Sequence, residues 1–417
     1  MRRLLVLLVL VTTTQVLAQP SQNRPGQLAI VGADSNIYRV AEDGAVQPLT
    51  SDAGRVDNIL RFYQWPTWSE TGALAFFGAQ LQRPAEVQLE AWVARANAPV
   101  ERIYNVADET FTYAFWSPTP CAGGGVCDSL AALIGVRGEP GFTLRLIPAD
   151  GSRPRRLGQG SPFYFDWSPD GARMAWHRDN ASVELANPAT GRVSETVAAR
   201  SGALGAPAWS PDGTALAYGV PEDSGDSTAL VVQTGDAERV LVSGLEGAIN
   251  FAWAPDGEAL AYTEEDGPLV IIDAMSGEEE SRTMDADVLA FFWSPVENRL
   301  AYLVPEQGPA GSLSAKRPAT PAQQFDPPRW AWVLFDPGDG ASVRLASFAP
   351  TREQAYLVAY FEQFSRSHRV WSPDGSRLVY GEQLSAARPV VQMIDLDEPG
   401  SPPRVIAQGV IGIWSFD

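Results

Sequence analysis

Residues 165–177 read F-D-W-S-P-D-G-A-R-M-A-W-H, and the block returns as P-A-W-S-P-D-G-T-A-L-A-Y-G at 207–219 and F-A-W-A-P-D-G-E-A-L-A-Y-T at 251–263. It recurs as F-F-W-S-P-V-E-N-R-L-A-Y-L at 291–303 and R-V-W-S-P-D-G-S-R-L-V-Y-G at 369–381, with worn copies around Trp68 and Trp116. An apolar stretch ends at Trp, a tight turn follows, and an alternating apolar stretch leaves it. Pro presets φ at the first corner, Asp tolerates the second, and Gly takes the left-handed position after it. The flanks favour β structure, so each block predicts a hairpin with a short loop. A third and a fourth apolar run follow each hairpin, such as Leu269-Val270-Ile271-Ile272 and, one unit earlier, Arg239-Val240-Leu241-Val242. Four short antiparallel strands per period make one propeller blade, and a period in the forties means an array of such units.

Counting follows the tryptophans Trp68, Trp116, Trp167, Trp209, Trp253, Trp293 and Trp371, spaced 40 to 51 residues apart except for a last interval of 78. That interval holds an insertion, 305–329, rich in Pro, Ala, Gly, Ser and Gln and without periodicity. It predicts a long loop between the second and third strands of its blade. An extra degenerate blade around Trp330 and Trp332 is the other reading, but the second hairpin strand it needs is missing. The chain ends on Val410-Ile411-Gly412-Ile413-Trp414, a first strand that stops where its turn should begin. Leu28-Ala29-Ile30-Val31 supplies the complementary second strand, so the two ends should pair and close the ring, removing exposed sheet edges. The expectation is a single all-β domain over 19–417: an eight-bladed propeller, with seven blades as the alternative.

The block W-S-P-D-G with its following L-A-Y resembles the TolB-type, WD-like propeller repeat family, over nearly the whole chain after residue 18. The resemblance implies a propeller and, as functions, either periplasmic partner binding or the propeller domain of a prolyl-oligopeptidase-like enzyme. The sequence departs from TolB itself in having no separate α/β domain ahead of the repeats and a higher expected blade count.

Met1-Arg2-Arg3 and the short apolar run after it, with small residues before Ala18, predict a secretory signal peptide over 1–18. That run is too short to span a membrane as a stable helix, and no later run approaches membrane length. An uncleaved N-terminal anchor is the alternative. The protein is expected to be bacterial, exported to the periplasm or medium, and monomeric. Its formal charge of −19 makes nucleic acid and anionic membranes poor partners. The basic residues are almost all Arg, with one lysine, Lys316; a G+C-rich genome explains that better than arginine-specific chemistry. Cys121 and Cys127, the only cysteines, stand in C-A-G-G-G-V-C and predict a disulfide closing a small loop in an oxidising compartment.

Chemistry is sparse. The turn carboxylates Asp170, Asp212, Asp256 and Asp374 should bond the backbone of their own turns rather than converge, because different blades hold them apart. His177 and His368 are the only histidines, too few for a histidine zinc site. No G-x-S-x-G elbow and no phosphate-binding Gly-rich motif occurs. Residues 354–368 stand apart from the repeats: Tyr356, Tyr360 and Phe364 recur every four residues, with Leu357 and Phe361 beside them, the period of a short amphipathic helix. Such a segment should cap one end of the channel, either as a packed plug or as an aromatic lip offering Tyr356, Tyr360, Phe361, Phe364 and His368 to a partner. The expected function is a non-enzymatic scaffold that binds an envelope or extracellular protein. The alternative is a propeller enzyme or small-ligand binder with a metal-assisted site in the channel, where Asp166, Asn250 and Asp287 could offer oxygen ligands to calcium.

Overall fold

The structure, a computed structural model, describes residues 26–41, 44–82, 86–119, 126–200, 205–223, 227–247, 249–306, 328–398 and 400–416. Each intact block folds as its turn chemistry dictates. Gly171, Gly213, Gly257 and Gly375 all take positive φ, between 66° and 77°. Ser168 Oγ accepts from Arg173 N–H (2.9 Å) and donates to Asp170 Oδ1, which in turn accepts from Ala172 N–H (3.0 Å). The same bonds recur at Ser210–Asp212 and Ser372–Asp374. At residue 254 Ala replaces Ser, and Asp256 keeps only its bond from Glu258 N–H (2.9 Å).

The hairpins build antiparallel sheets such as Phe163–Trp167, Met174–Arg178, Ser182–Asn187 and Arg192–Ala198, paired in that order. Neighbouring blades are stitched through the repeated indoles. Trp116, Trp253, Trp293 and Trp371 donate Nε1–H to Thr67, Ala208, Ala252 and Phe292 carbonyls. In each case the acceptor is the residue just before the preceding block's tryptophan. The blade-to-blade step is therefore written into the position that repeats.

The structure has seven blades, which corrects the expectation of eight. The described strands form seven sheets, and one of these has six strands where the others have four or five. What the repeat count divided into a Trp371 blade and a closing blade is one continuous sheet, because strand Arg404–Trp414 runs unbroken for 11 residues. Its first half pairs with Arg388–Asp395 and its second half with Leu28–Gly32. Residues 369–371 join that sheet through isolated bridges, Arg369 to Trp414 and Trp371 to Leu378. Glycine permits the shared strand: a Cβ on Gly409 would meet Ile30 Cγ2 at 2.7 Å and Val31 O at 2.8 Å. The N-terminal and C-terminal strands thus close the ring by antiparallel pairing, Leu28 opposite Trp414.

Trp330–Asp336 pairs with Leu300–Pro305 as the third strand of the Trp293 blade, so the 305–329 insertion falls between second and third strands. Its residues 307–327 lie outside the described residues, as do 1–25 with the expected signal peptide, and Cys121 with the expected Cys121–Cys127 bridge. Among the described residues no helix is long and apolar enough to cross a membrane.

Candidate functional site: a funnel closed by a plug

The segment that departs from the repeat departs from the ring as well. Helix α1 (Arg352–Ala359) is capped by Thr351, whose Oγ1 accepts from Gln354 N–H (3.1 Å) and donates to Val410 O (2.6 Å). Gln354 Oε1 accepts from Gly381 N–H (3.0 Å), so the helix is anchored to the six-stranded sheet. A break at Tyr360 turns the chain into the one-turn helix α2 (Phe361–Phe364), which crosses the centre of the ring.

The crossing is held by contacts to innermost strands on several sides. Gln363 behaves as a stand-in for a strand neighbour: its Nε2 donates to Phe165 O (2.9 Å) and its Oε1 accepts from Phe165 N–H (3.1 Å). Tyr113 Oη donates to Gln363 O (2.8 Å). Phe361 packs edge-on against Phe291, and Phe364 packs on Trp65 and Tyr113. Trp65 itself adopts a left-handed φ of 56° at a bulge, and its Nε1 donates to Ala114 O (2.8 Å). Its ring lies 4.1 Å from that of His368. Arg366 reaches Asp166 Oδ1 (2.6 Å) and Pro207 O (2.8 Å), while Asp166 Oδ2 accepts from Trp209 N–H (2.8 Å).

The plug leaves a funnel open on the side of the Ser-Pro-Asp-Gly turns. Its cavity of 730 Å³ is walled by successive Trp and Pro rungs, from Trp167–Pro169 round to Trp371–Pro373. A contiguous cavity of 130 Å³ carries the wall on past Trp116 and Trp68. Glu362, Ser365, Arg366, His368 and Arg369 supply the floor, with Phe416 beside them and Glu70 on the wall.

Burial sets the electrostatics here. It pushes the Glu362 carboxyl up to about 7, against the opposing pull of its own backbone hydrogen bond and of Arg366. It also raises the Asp166 carboxyl, although Arg366 and the Trp209 amide oppose it. The buried His368 ring falls to about 3 and is therefore neutral at physiological pH, with Nδ1 2.9 Å from Ser367 Oγ. The Arg369 guanidinium drops to about 10 by burial, still protonated at neutral pH, with Glu70 the one nearby charge supporting it.

The residues singled out in the sequence divide between plug and surface. Phe361, Phe364 and His368 are buried, whereas Tyr356 and Tyr360 are 45% and 42% exposed. The two tyrosines line no part of the funnel. The turn aspartates bond their own turns. Trp414 is buried in the closing sheet. Asp166, Asn250 and Asp287 are not brought together: Asp166 is committed to Arg366, and Asp287 lines a separate surface pocket beside Pro305 and Arg344. Among the described residues no three His, Cys, Asp or Glu side chains are grouped to hold a metal ion. His177 is buried elsewhere, with Nδ1 3.0 Å from Gly205 O. Sequence reasoning missed Glu362 and Arg366, although they sit on the very segment that breaks the repeat, and Arg369, which opens the block after it.

With this geometry in hand, similar solved structures are informative about architecture. The C-terminal WD40 domain of Sif2 is 14% identical, with 83% of this chain and 86% of that chain covered and a TM-score of 0.52. An oligogalacturonate lyase in complex with manganese is 14% identical, covering 90% and 98%, with a TM-score of 0.50. TolB from Acinetobacter baumannii is 15% identical over 86% and 82%, at a TM-score of 0.40. The likeness is one of fold. No protein-family model matches the chain, and no curated protein does.

Proposed function

We propose that the chain is an exported bacterial propeller that binds a protein segment in the plugged funnel, as a non-enzymatic interaction module of the cell envelope. The observation that carries this reading is the one-mouthed shape of the site. A segment inserted between blades closes the channel from within, and what remains is a basin of 730 Å³ with aromatic and prolyl walls. Rigid ring, apolar wall and few polar groups at the bottom are the features of a binding pocket. Export is supported by the leader pattern at the N-terminus, and the Cys121–Cys127 pair suits an oxidising compartment.

The test is affinity capture from native envelope and medium with the mature protein as bait, comparing wild type with Pro255→Arg and Pro295→Arg. Both prolines stand in the turn rim of the funnel, so each variant obstructs the mouth without touching the core. Reproducible recovery of one protein, lost in both rim variants, is the expected result. Capture that ignores the rim removes the funnel from the account.

A second reading, a propeller enzyme working in the same funnel, is favoured by Glu362 alone. A carboxyl held near 7 is suited to general acid–base work. Glu362→Gln should abolish turnover under the enzymatic reading, whereas under the binding reading the wild type itself shows none.

A further inference from the structure

Among the described residues, one charged group at the funnel floor has no ion-pair partner. Asp166 and Arg366 form their own pair at 2.6 Å. Glu70 lies on the wall, with its carboxylate accepting from Thr119 N–H (2.7 Å). Glu362 is a carboxyl close to half-protonated at neutral pH. Arg369 remains. Its guanidinium carbon lies 3.6 Å from the centroid of the Phe416 ring, so one face of the fork is covered and the N–H donors at its edge stay available. Among the described residues no carboxylate forms an ion pair with it; Glu70 acts on it only from a distance. The position is fixed, because Arg369 O accepts from Trp414 N–H (2.9 Å) in the closing strand. A half-buried, stacked guanidinium whose donors no described carboxylate takes, at the bottom of an apolar funnel, is an anion seat prepared in advance.

The chemistry of the anion follows from the surroundings. Among the described residues of this cavity one guanidinium, that of Arg369, has no ion pair, and two carboxyl groups, Glu70 and Glu362, share the cavity in a chain of net charge −19. A dianion such as phosphate would be repelled there more than a single carboxylate, whose two oxygens match the planar fork. The Trp–Pro walls suit the apolar residues that flank such a group in a polypeptide. We propose that Arg369 is a carboxylate seat, holding one carboxylate of the polypeptide that enters the funnel, from its chain end or an acidic side chain. This rests on the funnel being the binding site.

The test uses the whole mature protein and three small probes followed by saturation-transfer NMR. N-acetyl-phenylalanine carries a terminal carboxylate, acetyl-Phe-Asp-amide a side-chain carboxylate, and N-acetyl-phenylalanine amide none. At least one acid should bind roughly tenfold more tightly than the neutral amide, the order expected for a charge-assisted pair. Whichever acid binds identifies the carboxylate's source. The preference should vanish in Arg369→Gln and partly return in Arg369→Lys, and inorganic phosphate should not displace the acid. Because the acid–amide comparison is made in the wild type, it does not depend on a variant folding. Equal binding of acid and amide, binding of neither acid, a preference that survives Arg369→Gln, or displacement by phosphate would each overturn the proposal. Rim-dependent capture that Arg369→Gln leaves unchanged would keep the funnel and remove only the carboxylate seat.

Discussion

Gln363 shows how much one side chain can carry when it faces a strand end. Both of its amide atoms are spent on the backbone of Phe165. Gln363→Leu would leave a buried N–H and a buried C=O without partners, at about 1–3 kcal/mol each. We expect a thermal midpoint lowered by several degrees in a melt followed by near-ultraviolet circular dichroism. Glu362 makes the second prediction at this scale. Its folded value, about 7, lies above its ordinary 4.5, so the folded state holds the proton more tightly than the unfolded chain does. Stability from this group is therefore full below 4.5 and is lost as pH rises through 7. Glu362→Gln should raise the melting temperature at pH 8 and change it little at pH 5; an equal shift at both would remove burial as the cause. Some of this was readable in advance. The spacing of Tyr356, Tyr360 and Phe364 predicts one helix, and the structure breaks it at Tyr360 into α1 and α2. The Arg366–Asp166 pair did not show, because its members are 200 positions apart and only the closed ring brings them together.

Strand Arg404–Trp414 decides the blade count, and the reason it misled lies in its own residues. The repeat is recognised by its Ser-Pro-Asp-Gly breaker, and no breaker stands between 404 and 414. A fourth strand and a first strand fused without a turn look, in sequence, like two blades that happen to adjoin. Their fusion depends on glycines where backbones and side chains crowd. A Cβ on Gly381 would overlap Val410 O, and one on Gly412 would meet Val391 Cγ1 at 2.8 Å. Gly381→Ala should destabilise by about 1–3 kcal/mol through overpacking, measurable by chemical denaturation; a neutral result would mean that the strand can shift. The turns themselves were fully legible, because Pro, Asp and Gly each act locally. Asp170 and Asp212 are held below the ordinary carboxyl value, first by the hydroxyls of Ser168 and Ser210. Their contribution is present above about pH 4 and is lost as pH falls further. Asp212→Ala should cost roughly 1 kcal/mol at pH 7, and the difference from wild type should shrink in acid.

At the scale of the whole molecule, ring closure and funnel are one construction. The closing strand pairs with Leu28–Gly32, and Phe416, just beyond its end, stands beside Arg369 in the funnel. Deleting residues 413–417 should therefore lower the melting temperature of the entire ring in a single cooperative transition. A truncated protein that melts like the full chain would contradict closure by this strand. The repeat announced a propeller from its sequence; the funnel could not be announced, because it exists only where innermost strands and an inserted segment meet. The most direct measurement on it is photo-crosslinking in native cells with a benzophenone residue at one of two positions. Position 255 lies on the funnel rim, and position 284, where Met284 is 94% exposed, lies away from it. The account predicts one discrete adduct from position 255 and none from 284. Adducts from 284 with none from 255 would place binding on the outside of the ring and contradict it.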